Sequence, residues 1–193
     1  LYIFDATLNP LLSCVQVDDT TFMQNNWSSA IDTVAYYSLS CTTCIVNIPD
    51  TNFKTALLAN LAINTNGNSD IECSEAAAYS GAINVSLLAI SDLTGIEYFT
   101  ALTVLNCDNN LLTNLDVSSN TQLIELNCSV NQLSSISIST NTLLETLYTA
   151  YNPISTLDLS ANPNLLYLIC NNSQLTNLDL SFSTNLLGLV CSS

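Results

Sequence analysis

The sequence repeats itself every 21 residues from Leu102 onward. Four columns define the period: Leu102/Leu123/Leu144/Leu165/Leu186, Leu105/Leu126/Leu147/Leu168/Leu189, Cys107/Cys128/Thr149/Cys170/Cys191 and Asn110/Asn131/Asn152/Ser173. A unit this short cannot bury an apolar face by itself, so neighbouring units must stack and share one continuous core. The period therefore predicts a stack of coils that grows in one direction.

The order of residues within each unit, L-x-x-L-x-C-x-x-N-x-L, resembles a leucine-rich repeat. In such a repeat a short strand sends alternate side chains inward, and the asparagine fixes the turn that follows. We therefore predict a leucine-rich repeat solenoid that is mainly β, with one parallel sheet. Because a coil of this length leaves little room for a helix, irregular or 3-10 segments are expected on its convex side.

Three segments follow from this register. Residues 82–193 hold the repeats, with a divergent first coil before the regular units begin at residue 102. Residues 45–81 are predicted to form a helical N-terminal cap, with helices over 52–60 and 74–79, because an array needs ends that hide its open core. Residues 1–44 are predicted to be the closing coil and C-terminal cap of a preceding array, since residues 4–12 match residues 157–165.

The two ends of the sequence also fit each other in repeat phase. Ser193 aligns with Asn109 and Leu1 aligns with Leu112, which leaves a gap of two positions, 110 and 111. We therefore expect the chain to be a segment of a longer tandem protein in which arrays alternate with caps.

The charge balance excludes several functions. The 193 residues carry one Lys or Arg, sixteen Asp and Glu and no His, which gives a net charge of −15. One cation cannot neutralise the phosphates of a nucleic acid or attract an anionic membrane. Without His the commonest general base is missing, and no acid–base constellation is evident, so the chain is predicted not to be an enzyme. No membrane insertion is expected, because no run of about 18 apolar residues occurs.

Four strings outside the regular units carry a further resemblance. They are Leu12-Ser-Cys14-Val-Gln-Val-Asp18-Asp19, Val46-Asn-Ile-Pro49-Asp50-x-Asn52-Phe53, Ile71-x-Cys73-Ser-Glu75-Ala-Ala-Ala and Ile90-Ser-Asp-Leu93-Thr-Gly95-Ile96-Glu97. Together with the repeats, they resemble the internalin-like leucine-rich repeat proteins of the Bacteroidetes group over nearly the whole chain. The resemblance implies a large, modular, secreted cell-surface protein that is adhesive, and it implies no catalytic residues.

An EF-hand-like loop lies between the two predicted cap helices. Counted from Asn64, oxygen donors fall at positions 1, 3, 5, 7, 9 and 12, and the last is a Glu, as in a calcium-binding loop. The candidate ligands are Asn64, Asn66, Asn68, Asp70 and Glu75. Asn stands at two positions where Asp is preferred, and Ser69 stands where the motif has Gly. The alternatives are a weak Ca²⁺ site, which is the one cofactor expected here, and a loop held in shape by Asn-mediated turns.

The eight cysteines divide into two groups. Cys107, Cys128, Cys170 and Cys191 share a column with Thr149 and are predicted to be reduced, inward-facing core residues. Cys14 and Cys41 are candidates for a disulfide that seals the end of the first segment, worth about 3 kcal/mol on loop entropy. Cys44 and Cys73 are a second possible pair, across the cap, which the sequence leaves open.

The outward positions of the predicted strands become more apolar toward the C-terminus. Exposed apolar patches mark partner surfaces, so Tyr148, Leu166, Tyr167 and Ile169 are predicted to contact a protein or glycan ligand. Coverage of these side chains by further coils or by a neighbouring subunit is the alternative.

The predicted function is adhesion, or protein or glycan binding, by a secreted leucine-rich repeat protein at the cell surface. The alternative is a structural rod or filament subunit with no dedicated ligand, in which copies of the chain join end to end. The apolar concave positions favour recognition, whereas the matching phases of the two ends favour a rod.

Overall fold

The structure is a computed structural model that describes residues 44–192 and, before them, the backbone of two short strands, β1 (Cys14–Gln16) and β2 (Tyr36–Ser38). The chain divides into two compact units, Leu1–Thr43 and Cys44–Ser193. In the first unit β1 and β2 pair in parallel, with Cys14 opposite Tyr36. The interpretation of residues 1–44 as the end of a preceding array stays a prediction. The proposed Cys14–Cys41 disulfide lies outside the described residues.

The second unit contains a six-stranded parallel sheet whose strand order follows the sequence. The strands are β3 (Ala82–Asn84), β4 (Val104–Asn106), β5 (Glu125–Asn127), β6 (Thr146–Tyr148), β7 (Tyr167–Ile169) and β8 (Gly188–Val190). From β4 onward, each residue pairs with the residue 21 positions later, for example Leu105 with Leu126. The predicted leucine-rich repeat solenoid with its parallel sheet is thus confirmed, because the sequence period is also the strand register.

One continuous core runs through the second unit from the cap to the coil of β7. The middle residue of each strand points into it, and Leu105, Leu126, Leu147 and Leu168 are fully buried. The middle residue of β8, Leu189, is exposed because no strand follows β8 among the described residues. The convex side consists of turns and a single 3-10 helix, Ile96–Tyr98, as the short period predicts.

The N-terminal cap contains two helices, α1 (Thr51–Ala59) and α2 (Cys73–Ala78), each displaced by one residue from its predicted span. Asp50 starts α1, and one of its carboxylate oxygens accepts hydrogen bonds from two N–H groups of the first turn. The other oxygen accepts from the N–H and hydroxyl of Ser91, which lies in the first coil. One side chain therefore joins the cap helix to the repeat array.

A glycine completes the junction between the cap and the array. Gly95 has a φ of 106° and lies against the segment before α1, where a Cβ would come within 2.8 Å of Ile48. Both the left-handed backbone and the close approach require a residue without a side chain. Among the described residues, no helix is long and apolar enough to span a membrane.

Asparagines bind successive coils together. The Asn152 side-chain amide donates to the carbonyls of Cys128, Thr149 and Ala150, while its Oδ1 accepts from the N–H of Leu133. Asn131 and Asn110 make equivalent bonds one and two coils earlier. Because these bonds satisfy backbone groups that a tight turn would leave buried and unpaired, the asparagine column is part of the architecture of the coil.

Candidate functional site

The concave patch, which we define as Tyr148, Leu166, Tyr167 and Ile169, lies on two adjacent strands and the residue before one of them. Tyr148 is directly opposite Ile169 in the sheet. The Tyr167 side chain is 46% exposed and the other three are half-buried. The sheet therefore places Tyr148, Tyr167 and Ile169 next to one another on the face opposite the inward leucines, while Leu166 precedes the strand and is half-buried.

The position of the Tyr167 ring depends on the next strand. Gly188 is opposite Tyr167 in the register. A Cβ built at Gly188 would come within 2.8 Å of Tyr167 Cδ1, so the ring lies over the space that the glycine leaves. This arrangement presents a broad aromatic surface on the concave side.

Carboxylates border the patch. Glu145 lies one coil before Leu166, whose N–H donates to the Glu145 carbonyl. Glu125 is in the strand paired with the strand of Tyr148, opposite Thr146. Lys54, the only Lys or Arg of the chain, lies in the cap helix and pairs with Asp70 at 2.7 Å. Both charged side chains named beside the concave patch are therefore carboxylates.

The EF-hand-like loop is occupied by its own hydrogen bonds. Oδ1 of Asn64, Asn66 and Asn68 accepts backbone N–H groups of the loop, at 2.8 to 3.1 Å. The side-chain amides of Asn66 and Asn68 donate to the carboxylate of Glu72, a buried residue at position 9 of the motif. This is the geometry expected of Asn-mediated turns.

Ca²⁺ binding at this loop stays a prediction. An ion would have to compete with these hydrogen bonds for the same oxygens. Asp70 is paired with Lys54, and among the described residues no three acidic or cysteine side chains converge to hold a metal. Calorimetry of the whole chain with CaCl₂ up to millimolar concentration tests the prediction, and heat that the Glu75→Gln variant lacks would support the site.

Glu75 closes the loop by accepting four hydrogen bonds. They come from the N–H and hydroxyl of Thr65 and from the N–H groups of Asn66 and Glu72. Partial burial alone would raise the pKa of Glu75, but the bonds from Glu72 and Thr65 outweigh it and lower the pKa to about 2. At Asp50 burial also raises the pKa, but the hydrogen bonds from Ser91 and from the N–H groups of α1 lower the pKa overall. Both carboxylates thus stabilise the cap in their ionised form.

The cysteine column forms a ladder inside the coils. Cys107, Cys128 and Cys170 are buried and reduced, as predicted. Burial raises the pKa of Cys128 to about 12 and that of Cys170 to about 11, so these thiols are protonated and unreactive. Cys191, predicted to be a core residue, is exposed, because its coil has no described neighbour on one side.

The cysteine pairing that the sequence left open is resolved in the cap. Cys44 and Cys73 form a disulfide with a Cα–Cα distance of 5.4 Å. It lies beside an antiparallel bridge between Ile45 and Glu72, so the start of α2 is fixed to the segment that precedes α1. The bond closes a loop of 29 residues that includes α1 and the EF-hand-like loop.

A row of left-handed residues follows the strands and was not identified from the sequence. Leu87, Asn109, Val130, Tyr151 and Asn172 occupy the same place in successive coils, with φ between 53° and 59°. The sequence signal for this conformation is Asn109, which directly precedes the ladder asparagine Asn110. Asn tolerates a positive φ better than other side-chain-bearing residues. Val130 and Tyr151 break that pattern.

Stacked parallel strands, an inward leucine and cysteine ladder and a cap at the N-terminal end define a leucine-rich repeat solenoid. The functional domain of InlJ from Listeria monocytogenes, described as including a cysteine ladder, has this fold with a TM-score of 0.71. It is 35% identical over 80% of this chain and 34% of that chain. This chain has a cysteine column of its own, which is interrupted by Thr149.

Two further solved structures share the architecture. An internalin (inlF) from Listeria monocytogenes matches with a TM-score of 0.60 and 21% identity over 77% of this chain and 52% of that one, which shows the fold alone. Internalin C2 from the same species matches with a TM-score of 0.54 and 25% identity over 57% of this chain and 51% of that one. The chain thus spans between about a third and a half of the length of these proteins. No protein-family model and no curated protein matches the chain.

Proposed function

We propose that this chain is a ligand-binding segment of a secreted or surface-exposed bacterial protein, and that it binds a protein or glycan through the concave patch. The observation that carries the proposal is the exposed aromatic and aliphatic cluster on a rigid parallel sheet, with Tyr167 held over Gly188. Exposed apolar side chains that are preorganised in this way are typical of binding surfaces, where Tyr supplies a large contact area at low entropic cost.

Two observations support a location outside the cytoplasm. The Cys44–Cys73 disulfide requires an oxidising compartment to form and persist. The likeness to the InlJ domain points to a bacterial internalin-type protein. A role in adhesion follows if the ligand is fixed on another cell or matrix.

The proposal is tested by selecting ligands on the whole chain. A phage-displayed library of random 12-residue peptides and an immobilised glycan array serve as the two probes. We expect one of them to yield ligands whose affinity falls about tenfold or more in the Tyr167→Ser variant. Tyr98→Ser is the matched control, because Tyr98 is also partly exposed but lies in the 3-10 helix away from the sheet. Ligands whose affinity is unchanged in Tyr167→Ser, or no ligand from either probe, would contradict the proposal.

The rod or filament role is the second candidate and makes a different prediction. End-to-end joining would give particles whose length rises with protein concentration, visible by sedimentation velocity and negative-stain electron microscopy. A chain that stays monomeric up to about 100 μM, well above typical interface affinities, would speak against it.

A further inference from the structure

The left-handed row lies at the C-terminal ends of the strands. Within it, Val130 follows β5 by three residues and Tyr151 follows β6 by three residues, with φ of 53° and 55°. Their coils are adjacent in the stack. Tyr148 of the concave patch is the last residue of β6, and Tyr151 follows it by three residues. We call Val130 and Tyr151 the rim.

Val130 and Tyr151 are residue types that rarely adopt the positive φ found at these two positions. A positive φ brings Cβ close to the carbonyl oxygen, and for a β-branched residue such as Val130 the conformation is a genuine outlier. Asn, which tolerates it best among side-chain-bearing residues, is present at the equivalent Asn109 and Asn172, whereas Leu87 takes this place in the divergent first coil. If folding alone determined these positions, the same Asn would serve at 130 and 151.

Burial does not compensate for the strain. Val130 is 40% exposed and Tyr151 is 56% exposed, so both side chains present apolar surface to solvent. The turn imposes this conformation in every coil, so what folding leaves unexplained is the presence of Val and Tyr in it. Strained residues are concentrated at ligand-binding sites. Strain and exposed apolar surface at the same two positions therefore indicate a contact made with another molecule.

We propose that the rim extends the concave patch around the strand ends and that both together bind a protein segment carrying Lys or Arg beside apolar side chains. The inference rests on the proposed function and specifies its partner. Charge complementarity selects the basic segment: the chain carries a net −15, and Glu125 and Glu145 border the patch. An acidic segment would be repelled by these charges.

The test separates stability from binding. Val130→Asn, Tyr151→Asn and the double variant are made in the whole chain, and melting is followed by circular dichroism. Because each substitution relieves strain at an exposed site, we expect the melting temperature to rise by about 2–4 °C per substitution. Peptides selected from the random 12-residue library on the unmodified chain are expected to be rich in Lys, Arg and apolar residues. Their affinity should fall about tenfold in the double variant.

Leu143→Asn is the matched control. Leu143 is 42% exposed, comparable with Val130, but it precedes β6 and lies toward the opposite ends of the strands. The control should leave peptide affinity unchanged, so a loss restricted to the rim variants locates the contact.

Three results would overturn the inference. Peptides that require Tyr167 but bind the rim variants normally would leave the proposed function intact and exclude the rim. Rim variants that melt at a lower temperature would show that Val130 and Tyr151 serve the fold. Ligands found only on the glycan array, or peptides without basic residues, would refute the assigned partner.

Discussion

Asn152→Ala gives the most direct test of how the coils are held together. Asn152 is 2% exposed and makes four hydrogen bonds with three carbonyls and one N–H group. Two of these partners have other bonds: the Cys128 carbonyl also accepts from Asn131, and the Ala150 carbonyl also accepts from the N–H of Val130. The substitution therefore leaves two buried groups unpaired, the N–H of Leu133 and the carbonyl of Thr149.

An unpaired buried backbone group costs about 1–3 kcal/mol, so we expect Asn152→Ala to lower the free energy of unfolding by about 2–6 kcal/mol. Asn131→Ala removes as many bonds but leaves only the N–H of Leu112 unpaired, because each carbonyl it serves has a second donor. Its expected cost is about 1–3 kcal/mol, half as large.

Urea unfolding followed by circular dichroism measures both variants, and hydrogen exchange locates the loss to the flanking coils. Asn127→Ala is the control, since Asn127 is half-buried and its side chain accepts one bond, from Ser129. Equal costs for Asn131→Ala and Asn152→Ala, or a cost below about 1 kcal/mol for Asn152→Ala, would refute this count of unpaired groups.

Three further predictions concern the cap and the patch. Replacing Cys44 and Cys73 by Ala opens the 29-residue loop and should lower the stability of the cap by about 3–4 kcal/mol, measured by urea unfolding with and without reductant. Since the folded pKa of Glu75 is about 2, below its ordinary 4.5, its contribution is present above pH 4.5 and is lost as the pH falls toward 2. A melting-temperature profile of Glu75→Gln should therefore be flatter than that of the unmodified chain over this range, and parallel profiles would contradict the assignment. Gly188→Ala should displace the Tyr167 ring and weaken the selected ligands several-fold without changing the fold, which far-ultraviolet circular dichroism and binding together test.

The repeat register could be predicted because it depends on local pattern alone. Identical residues at a 21-residue interval can all be buried only if successive coils stack in phase, so the columns of Leu105 and Cys107 identified the strands and the ladder directly. The same reasoning placed Tyr148 and Ile169 side by side on the concave face. Cys191 keeps its place in the column but is exposed, because burial requires a neighbouring coil on each side and the pattern within a repeat carries no information about its neighbours.

The cap and the rim depended on contacts that the pattern does not contain. The Cys44–Cys73 pairing, the Asp50 bond to Ser91 and the bonds of Glu72 join segments far apart in sequence. In the EF-hand-like loop, the spacing shows which side chains carry oxygen, whereas only the folded chain shows that those oxygens accept N–H groups.

The sequence by itself therefore determined the solenoid, its sheet and its inward ladder, since each follows from a repeated local period. The tertiary structure alone decided how the cap closes the array and that Val130 and Tyr151 stand exposed on a strained backbone. The physical reason is that burial in a repeat array is a periodic property, whereas hydrogen bonding between distant segments and backbone conformation at a single turn are not.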